Sequence, residues 1–567
     1  MKKLIFTLIS ILCICLSTNA QQNKIPLPTN AQLQWHNMER IMFIHWGMAT
    51  WQGREYDNHS TPLDSIHPSQ YSTDQWCEVA RSWGATMIIF VAKHVGGFCW
   101  WQTNTTDYGV KQLKWRNGKA DVMADLSASC KKYGLKLGVY IYPGDDKWGA
   151  GIGSGGICQD ASKQEEYNKI FRQQLTEVLS NYGTISEVWF DGNCKIEVKD
   201  ILEKYAKDAV VFQSPQASLR WVGNEDGIAP YPNWYTVSKK DLKKGDATAL
   251  NSDIYGDAYA PIEIDVPLLN NGGHKWFWAP GTDSLLMTTE QLMTLYYKSV
   301  GRGGNLLLNS TPDTSGIIPL SHQKAYAAFG KELNNRFMFP LRWQKGEYRS
   351  IFMDLNGAKT INHVVIQEDL TYGQRILEYQ LKGKIGKDWI TLCKGTSVGS
   401  KRIEYFNDIT VEAVKLEILK SKDSPHIKYF MVYNVQTELT DLILENGDWK
   451  PIQVGYWNKG TFSSIKDSTF VIDLSDKITE VGQYLLSFDQ LSYDYNSKES
   501  SALIFKNLNL EIYGSSHPEL IQKAHDNQFL IIHCQQTQKD FPIRFKADIR
   551  SSGASSIGEI TIKKVTY

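Results

Sequence analysis

In SEVWFDGNCK (186–195) a carboxylate, Asp191, follows Val188, Trp189 and Phe190, where the pattern reads as the buried end of a strand. An ionised aspartate is rarely buried without a partner, so its position predicts the edge of a cleft. Two carboxyl groups facing one bond, one ionised and one held protonated, are the machinery of glycoside hydrolysis. Glu225 in RWVGNEDG and Glu263 in PIEIDVP are the candidate partners. Glu263 lies between Ile262 and Ile264, an apolar setting of the kind that raises a carboxyl pKa as a general acid requires. Glu225 lies between Asn224 and Asp226, which suits a polar contact with substrate. Both are expected on rim loops, and spacing does not choose between them.

Other chemistries fit less well. GAGIGSGG contains a formal G-x-G-x-x-G at Gly151, Gly153 and Gly156, but PGDDKW separates it from the preceding strand and the next helix begins only near Ser162. His45 and His94 lack an H-E-x-x-H context, so hydrogen bonding to a ligand is expected of them and no metal. No G-x-S-x-G stands in the strand-to-helix setting that would mark the nucleophile elbow of a serine hydrolase. No cofactor is expected.

The elements that must position these groups alternate from about residue 38 to 338. RIMFIHWG, TMIIFVAKH, LKLGVYIYP, SEVWFDG, AVVFQSP and GNLLLNST read as strands. Between them lie amphipathic stretches such as SKQEEYNKIFRQQLTEVLSNYG, with a Ser162/Glu165 capping box, and TTEQLMTLYYKSVG, with Thr288 and Gln291. Repeated strand–helix units of this length predict an α/β fold, a (β/α)8 TIM-like barrel. His45, His94, Tyr142, Asp191, Ser214 and Asn309 all stand at C-terminal strand ends, the rim where such barrels build active sites. Past Phe339 the pattern turns to period-two strands, predicting two C-terminal β-sandwich modules. The expected divisions are a signal peptide at 1–20, a barrel at 21–338, a first sandwich at 339–438 and a second at 439–567.

The 567 residues carry 61 Lys plus Arg against 61 Asp plus Glu, a balance that argues against nucleic acid as a partner. With 18 Trp and 28 Tyr the chain is rich in flat rings that serve a core and a sugar face equally. MKKLIFTLISILCICLSTNA reads as a secretory signal cut near Ala20, predicting export, and no later stretch is long and apolar enough for a membrane span. Cys77, Cys99, Cys130, Cys158, Cys194, Cys393 and Cys534 are scattered, which favours neither a disulfide framework nor a zinc site.

FIHWG, AKHVGGFCWW, LKLGVYIYP, EVWFDG, RWVGNEDG, PIEIDVP and SVGRGGNLLLNSTPD resemble, in order, the motifs of glycoside hydrolase family 29, the retaining α-L-fucosidases. The resemblance implies a barrel followed by a discoidin-like sandwich, a fucosylated glycan as substrate and no cofactor. It implies Asp191 as nucleophile and favours Glu263 over Glu225 as general acid/base, with the two carboxyl groups about 5–5.5 Å apart. It further implies sugar contacts from His45, Trp46, Glu55, His94, Trp100, Tyr142, Trp189, Arg220 and Glu225, and an aromatic pair, Trp276 and Phe277, against the sugar methyl. The chain departs from the family at Val95 and Gly96, where a histidine and an aspartate are usual, with Trp101 expected to refill the space. That departure leaves open a related α-L-sugar such as an α-L-galactoside, and a silent carbohydrate-binding protein is the reading from another class.

Overall fold

The computed structural model describes residues 25–437 and the strands and some linking residues of 452–564. The expected signal segment lies outside the described residues, and among these no helix is long and apolar enough to cross a membrane.

Eight parallel strands form a nearly closed barrel: β1 Arg40–Ile44, β2 Met87–Lys93, β3 Lys136–Ile141, β4 Ile185–Trp189, β5 Val210–Phe212, β6 Arg220–Trp221, β7 Ile262–Pro267 and β8 Asn305–Ser310. Their order is β5-β4-β3-β2-β1-β8-β7-β6, and all pairings are parallel. The gap falls between the two shortest strands, β5 and β6, where Ser218 and Leu219 donate backbone bonds to Val211. β6 and β7 are the strands the sequence hides, because RWVGNEDG and PIEIDVP carry polar residues inside the strand or close behind it.

Side-chain direction alternates along every strand. Met42, Ile44, Ile88, Phe90, Val139, Ile141 and Val188 pack outward in the large core shared with the helices. Ile41, Phe43, Ile89, Val91, Tyr140, Trp189 and Leu307 fill the barrel interior. Burial on both faces is the reason these strands read as continuous apolar runs. The helices Thr73–Ser82, Val122–Tyr133, Gln164–Ser180, Thr289–Lys298 and Leu320–Phe337 lie outside. The Thr288/Gln291 capping box forms. The one at Ser162 does not, because Asp160 accepts from Ser162 N and caps a short 3-10 turn, and the α-helix starts only at Gln164.

After the barrel comes an antiparallel six-stranded sheet containing two long strands, Ser350–Glu368 and Arg402–Ser421. YRSIFMDL and HVVIQEDL, which read as separate strands, belong to the first of these; Asn356 and Gly357, both at positive φ, are absorbed within a register shift. This sheet buries its own core around Val364, Tyr379, Leu416 and Phe430. In the last segment, antiparallel strands form further sheets, with Leu486, Leu510, Leu530 and Phe545 in a separate core.

Candidate active site

The C-terminal ends of the barrel strands converge on one cleft. Asp191, two residues past the end of β4, is half-buried, and its Oδ2 accepts the Tyr140 hydroxyl at 2.9 Å. Gly192, in the left-handed region at φ +75, turns the chain away at once, and its N–H donates to the Gln213 amide oxygen at 2.8 Å. Burial pushes the Asp191 carboxyl up to about 7; the Tyr140 hydroxyl opposes the shift and the charge of Glu225 adds to it. Glu225 follows β6 on a tight loop. Its Oε2 accepts Trp276 Nε1 at 3.0 Å and lies 2.8 Å from His274 Nε2. Burial works against charge on His274, but hydrogen bonding and attraction from Glu225 hold its pKa above the ordinary value.

The ring wall is built from β1, β2, β3 and the loop after β7. His45 Nδ1 lies 2.8 Å from Asn309 Oδ1, and Asn309 Nδ2 donates to the Trp276 carbonyl at 2.9 Å. That second bond fixes the amide, so His45 must donate through Nδ1 and keeps Nε2 as an acceptor. Burial lowers His45 to about 3 and His94 to about 4, so both rings are neutral at ordinary pH. His94 stacks between Tyr56 and Tyr140, with centroids 5.9 Å from each, and its Nδ1 is buried without a protein partner. Phe277 meets both histidines edge-on, at 5.2 and 5.4 Å. Tyr142 accepts Gly153 N–H at 2.8 Å, which leaves its own hydroxyl proton free to point elsewhere. Glu55 Oε2 accepts Trp276 N at 2.9 Å, while Lys275 lies 3.4 Å from Oε1; burial raises its carboxyl.

Four expected residues stand away from this cleft. Glu263, expected on a rim loop, is the second residue of β7 and fully buried. Its Oε2 accepts Trp189 Nε1 at 2.8 Å, and its neighbour is the carboxyl of Glu187, which accepts Trp35 Nε1 at 2.9 Å. Glu263 pairs in register with Asn305, the first residue of β8, whereas the rim residue Asn309 pairs with Pro267. Four residues of strand, about 13 Å, separate that level from the rim. Arg220 is also buried, and its guanidinium donates to the carbonyls of Ala260 (2.8 Å), Thr248 (3.1 Å) and Trp234 (2.6 Å) and to Ser252 Oγ (3.1 Å). It ties the barrel to the 234–252 excursion. Trp46 and Trp100 are stacked on each other at 4.3 Å in the core, and with His94, Phe98 and Phe277 they line a small apolar cavity.

The space left by Val95 and Gly96 is filled from elsewhere. A Cβ on Gly96 would lie 2.6 Å from Asp57 Oδ2, so the carboxylate occupies the room that a larger residue would take. Asp57 is held by the Tyr108 hydroxyl (2.7 Å), Gln52 Nε2 (2.8 Å) and His59 N (2.8 Å). Trp101 instead points outward and donates to Glu177 at 2.9 Å. Tyr140, His274, Tyr56 and Asp57 are the site residues that sequence reasoning passed over. Tyr140 had a usable signal, since it lies on β3 two residues before Tyr142, at the same parity of the LKLGVYIYP run.

A parallel barrel whose C-terminal rim gathers a carboxylate dyad, neutral histidines and aromatic faces around one cleft defines a glycoside hydrolase. Residues 56–336 match the family described as Alpha-L-fucosidase. "Alpha-L-fucosidase 1" of Arabidopsis thaliana is 30% identical over 459 residues, covering 72% of this chain and 88% of that protein. "Putative alpha-L-fucosidase 1" of Oryza sativa subsp. japonica is 28% identical, with 73% and 86% covered. The crystal structure of a "putative alpha-L-fucosidase" from Bacteroides thetaiotaomicron VPI-5482 superimposes with a TM-score of 0.68 at 32% identity, covering 73% of this chain and all of that one. The chain belongs to the α-L-fucosidases of glycoside hydrolase family 29.

Proposed function

We propose that this α-L-fucosidase is an exported exo-enzyme that releases terminal α-L-fucosyl residues with retention, Asp191 being the nucleophile and Glu225 the general acid/base. What supports the pairing is position: Glu225 stands on the loop behind β6, its carboxyl held by Trp276 Nε1 and His274 Nε2 beside the ring wall of the cleft, and its charge bears on Asp191. Glu263 faces Glu187 in the barrel throat, beneath Trp189, and has no route to a glycosidic oxygen at the rim.

In the first step an Asp191 oxygen attacks the anomeric carbon as the bond to the leaving oxygen breaks, and Glu225 delivers its proton to that oxygen. In the second, Glu225 as carboxylate takes a proton from water, the water oxygen bonds to the anomeric carbon, and Asp191 departs. His274 and Trp276 hold the Glu225 carboxyl between them, and the protonatable His274 gives it a cationic neighbour when it ionises. His45 Nε2 and the Tyr142 hydroxyl supply an acceptor and a donor for sugar hydroxyls, and Trp276 and Phe277 supply an apolar face for the methyl. The export reading rests on the MKKLIFTLISILCICLSTNA segment.

NMR of the first-formed product tests the stereochemistry: α-L-fucose is expected, and β-L-fucose would overturn retention. Glu225→Gln and Glu263→Gln, assayed side by side on an aryl fucoside and on an unactivated disaccharide, test the pairing. The acid/base variant loses far more rate on the poor leaving group, because protonation matters most there. Such selectivity in Glu263→Gln alone would reverse the pairing.

A further inference from the structure

We propose that the first β-sandwich is a working part of the catalytic apparatus: it latches the loop that carries Glu225, with Gln374 and Tyr235 as positioning residues. The proposal rests on the reading of Glu225 as the acid/base.

The loop begins where Val222 N donates to the Glu263 carbonyl at 2.9 Å. Asn224, fully buried, closes it on itself: its Nδ2 donates to the Ile228 carbonyl at 2.9 Å and its Oδ1 accepts Asp226 N at 3.0 Å. Glu225 therefore rides on a turn whose inner geometry is fixed, and whose placement depends on the outgoing leg, 229–235. The barrel holds that leg at Ala229, through Ala229 N to the Lys298 carbonyl (2.9 Å) and Arg302 Nη1 to the Ala229 carbonyl (2.7 Å), and again at Trp234, whose carbonyl accepts Arg220 Nη2 at 2.6 Å.

Further along, the sandwich provides much of the grip. Gln374, 1% exposed, spends both ends of its amide on the leg: Oε1 accepts Tyr235 N at 2.8 Å and Nε2 donates to the Asn233 carbonyl at 3.0 Å. Ser397 Oγ accepts Asn233 N at 3.0 Å, and the Tyr231 hydroxyl accepts Thr396 N at 2.8 Å. The Tyr235 hydroxyl accepts Ser400 N at 2.8 Å and donates to the Gly303 carbonyl at 2.5 Å, so one oxygen joins sandwich, loop and barrel. The fit has no slack. A Cβ on Gly303 would stand 2.6 Å from that hydroxyl, one on Gly399 would collide with the same ring, and one on Gly395 would collide with Tyr379 and crowd the Tyr231 hydroxyl. Glycines on both flanks let the backbones close on the two tyrosines.

A reacting group displaced by about 1 Å loses on the order of 10²-fold in rate, so a latch of this kind acts on the proton transfer itself. A scaffold role alone would lower the melting temperature and the active fraction, and would reduce every substrate's rate alike.

The test uses the full chain. Gln374→Ala, Ser397→Ala and Tyr235→Phe are compared with Glu225→Gln on 4-nitrophenyl α-L-fucoside and on an unactivated α-L-fucosyl disaccharide. The expected result for Gln374→Ala is a loss of roughly 10- to 10²-fold in kcat on the disaccharide, a markedly smaller loss on the aryl fucoside, and little change in KM. Equal losses on both substrates, or none, with Glu225→Gln still selective, overturn the latch and leave the acid/base reading standing. If Glu225→Gln is itself unselective, that reading falls first and the latch with it. Should Gln374→Ala lose its cooperative melt, the decision passes to Ser397→Ala and Tyr235→Phe, which remove a serine oxygen or a tyrosine hydroxyl and keep the buried amide; selectivity in either supports the latch, and its absence from both overturns it.

Discussion

Glu187 and Glu263 stand in the same barrel as Asp191 and Glu225, and Glu187, Trp189 and Asp191 follow one another at alternate positions of the same chain segment. The lower pair is enclosed: both residues are fully buried, each has one oxygen taken by a tryptophan N–H and one without a protein donor, and burial raises both carboxyls, Glu187 to about 7. The two carboxyls are neighbours, so one proton shared between them would satisfy both and leave the pair as a brace under Trp189. That ring stacks on Phe212 at 4.2 Å and on Tyr140 at 5.3 Å, and Tyr140 holds Asp191. The upper pair opens on the cleft and is held by donors that leave it room to act. What separates the proposed catalytic pair from the buried one is depth along the strand.

That contrast breaks first at Asp191. Asp191→Ala is expected to lose about 10⁴-fold or more in kcat on any α-L-fucoside, since in the proposed mechanism Asp191 forms the covalent bond. It should not destabilise the fold above neutral pH, because a carboxyl whose folded pKa is raised opposes folding once ionised. Retained turnover at such pH would remove Asp191 from the mechanism. Glu225→Gln comes next, at about 10²- to 10⁴-fold on poor leaving groups.

The lower pair should answer in stability. Glu263→Gln keeps an acceptor for Trp189 and gains a donor toward Glu187, so activity is expected to stay within about 10-fold, below the span of a lost general acid. Both carboxyls titrate above their free value of 4.5 in the fold, so the folded chain holds more protons than the unfolded one. Stability from this pair is therefore present below that value and falls as pH rises through about 7. Melting curves from acid to mildly alkaline pH should show a smaller decline in Glu263→Gln than in the parent. An equal decline would mean that the pair carries no shared proton.

The barrel was legible in the sequence because its strands are buried on both faces and end in polar residues, a pattern that singled out Asp191, His45, His94 and Tyr142. Depth was not legible. Glu263 has the inward parity and apolar flanks expected of a general acid, but only its register against Asn305 shows that it sits at the floor. Arg220 shares the problem, since its partners come from residues 234 to 260, which nothing local announces. Asp57 was hidden for a related reason: it reaches Gly96 from a loop far away in the chain, and a glycine in a motif does not say what fills its missing side chain.

The smallest effect tests the link between the two levels. Tyr140 both stacks on the braced Trp189 and donates to Asp191, so Tyr140→Phe removes the hydrogen bond and leaves the ring stack in place. The hydroxyl favours the ionised carboxylate against burial and the Glu225 charge, so its loss raises the Asp191 pKa further above about 7. The acid limb of kcat/KM, which reports the free enzyme, should then move to higher pH, with the deficit greatest on the acid side and shrinking toward alkaline pH. Tyr142→Phe is the matched control, because the Tyr142 hydroxyl is bonded to Gly153 N and not to Asp191. A limb that stays in place in Tyr140→Phe, or moves as far in the control, would mean that the brace ends at Trp189 and that Asp191 is tuned from the cleft alone.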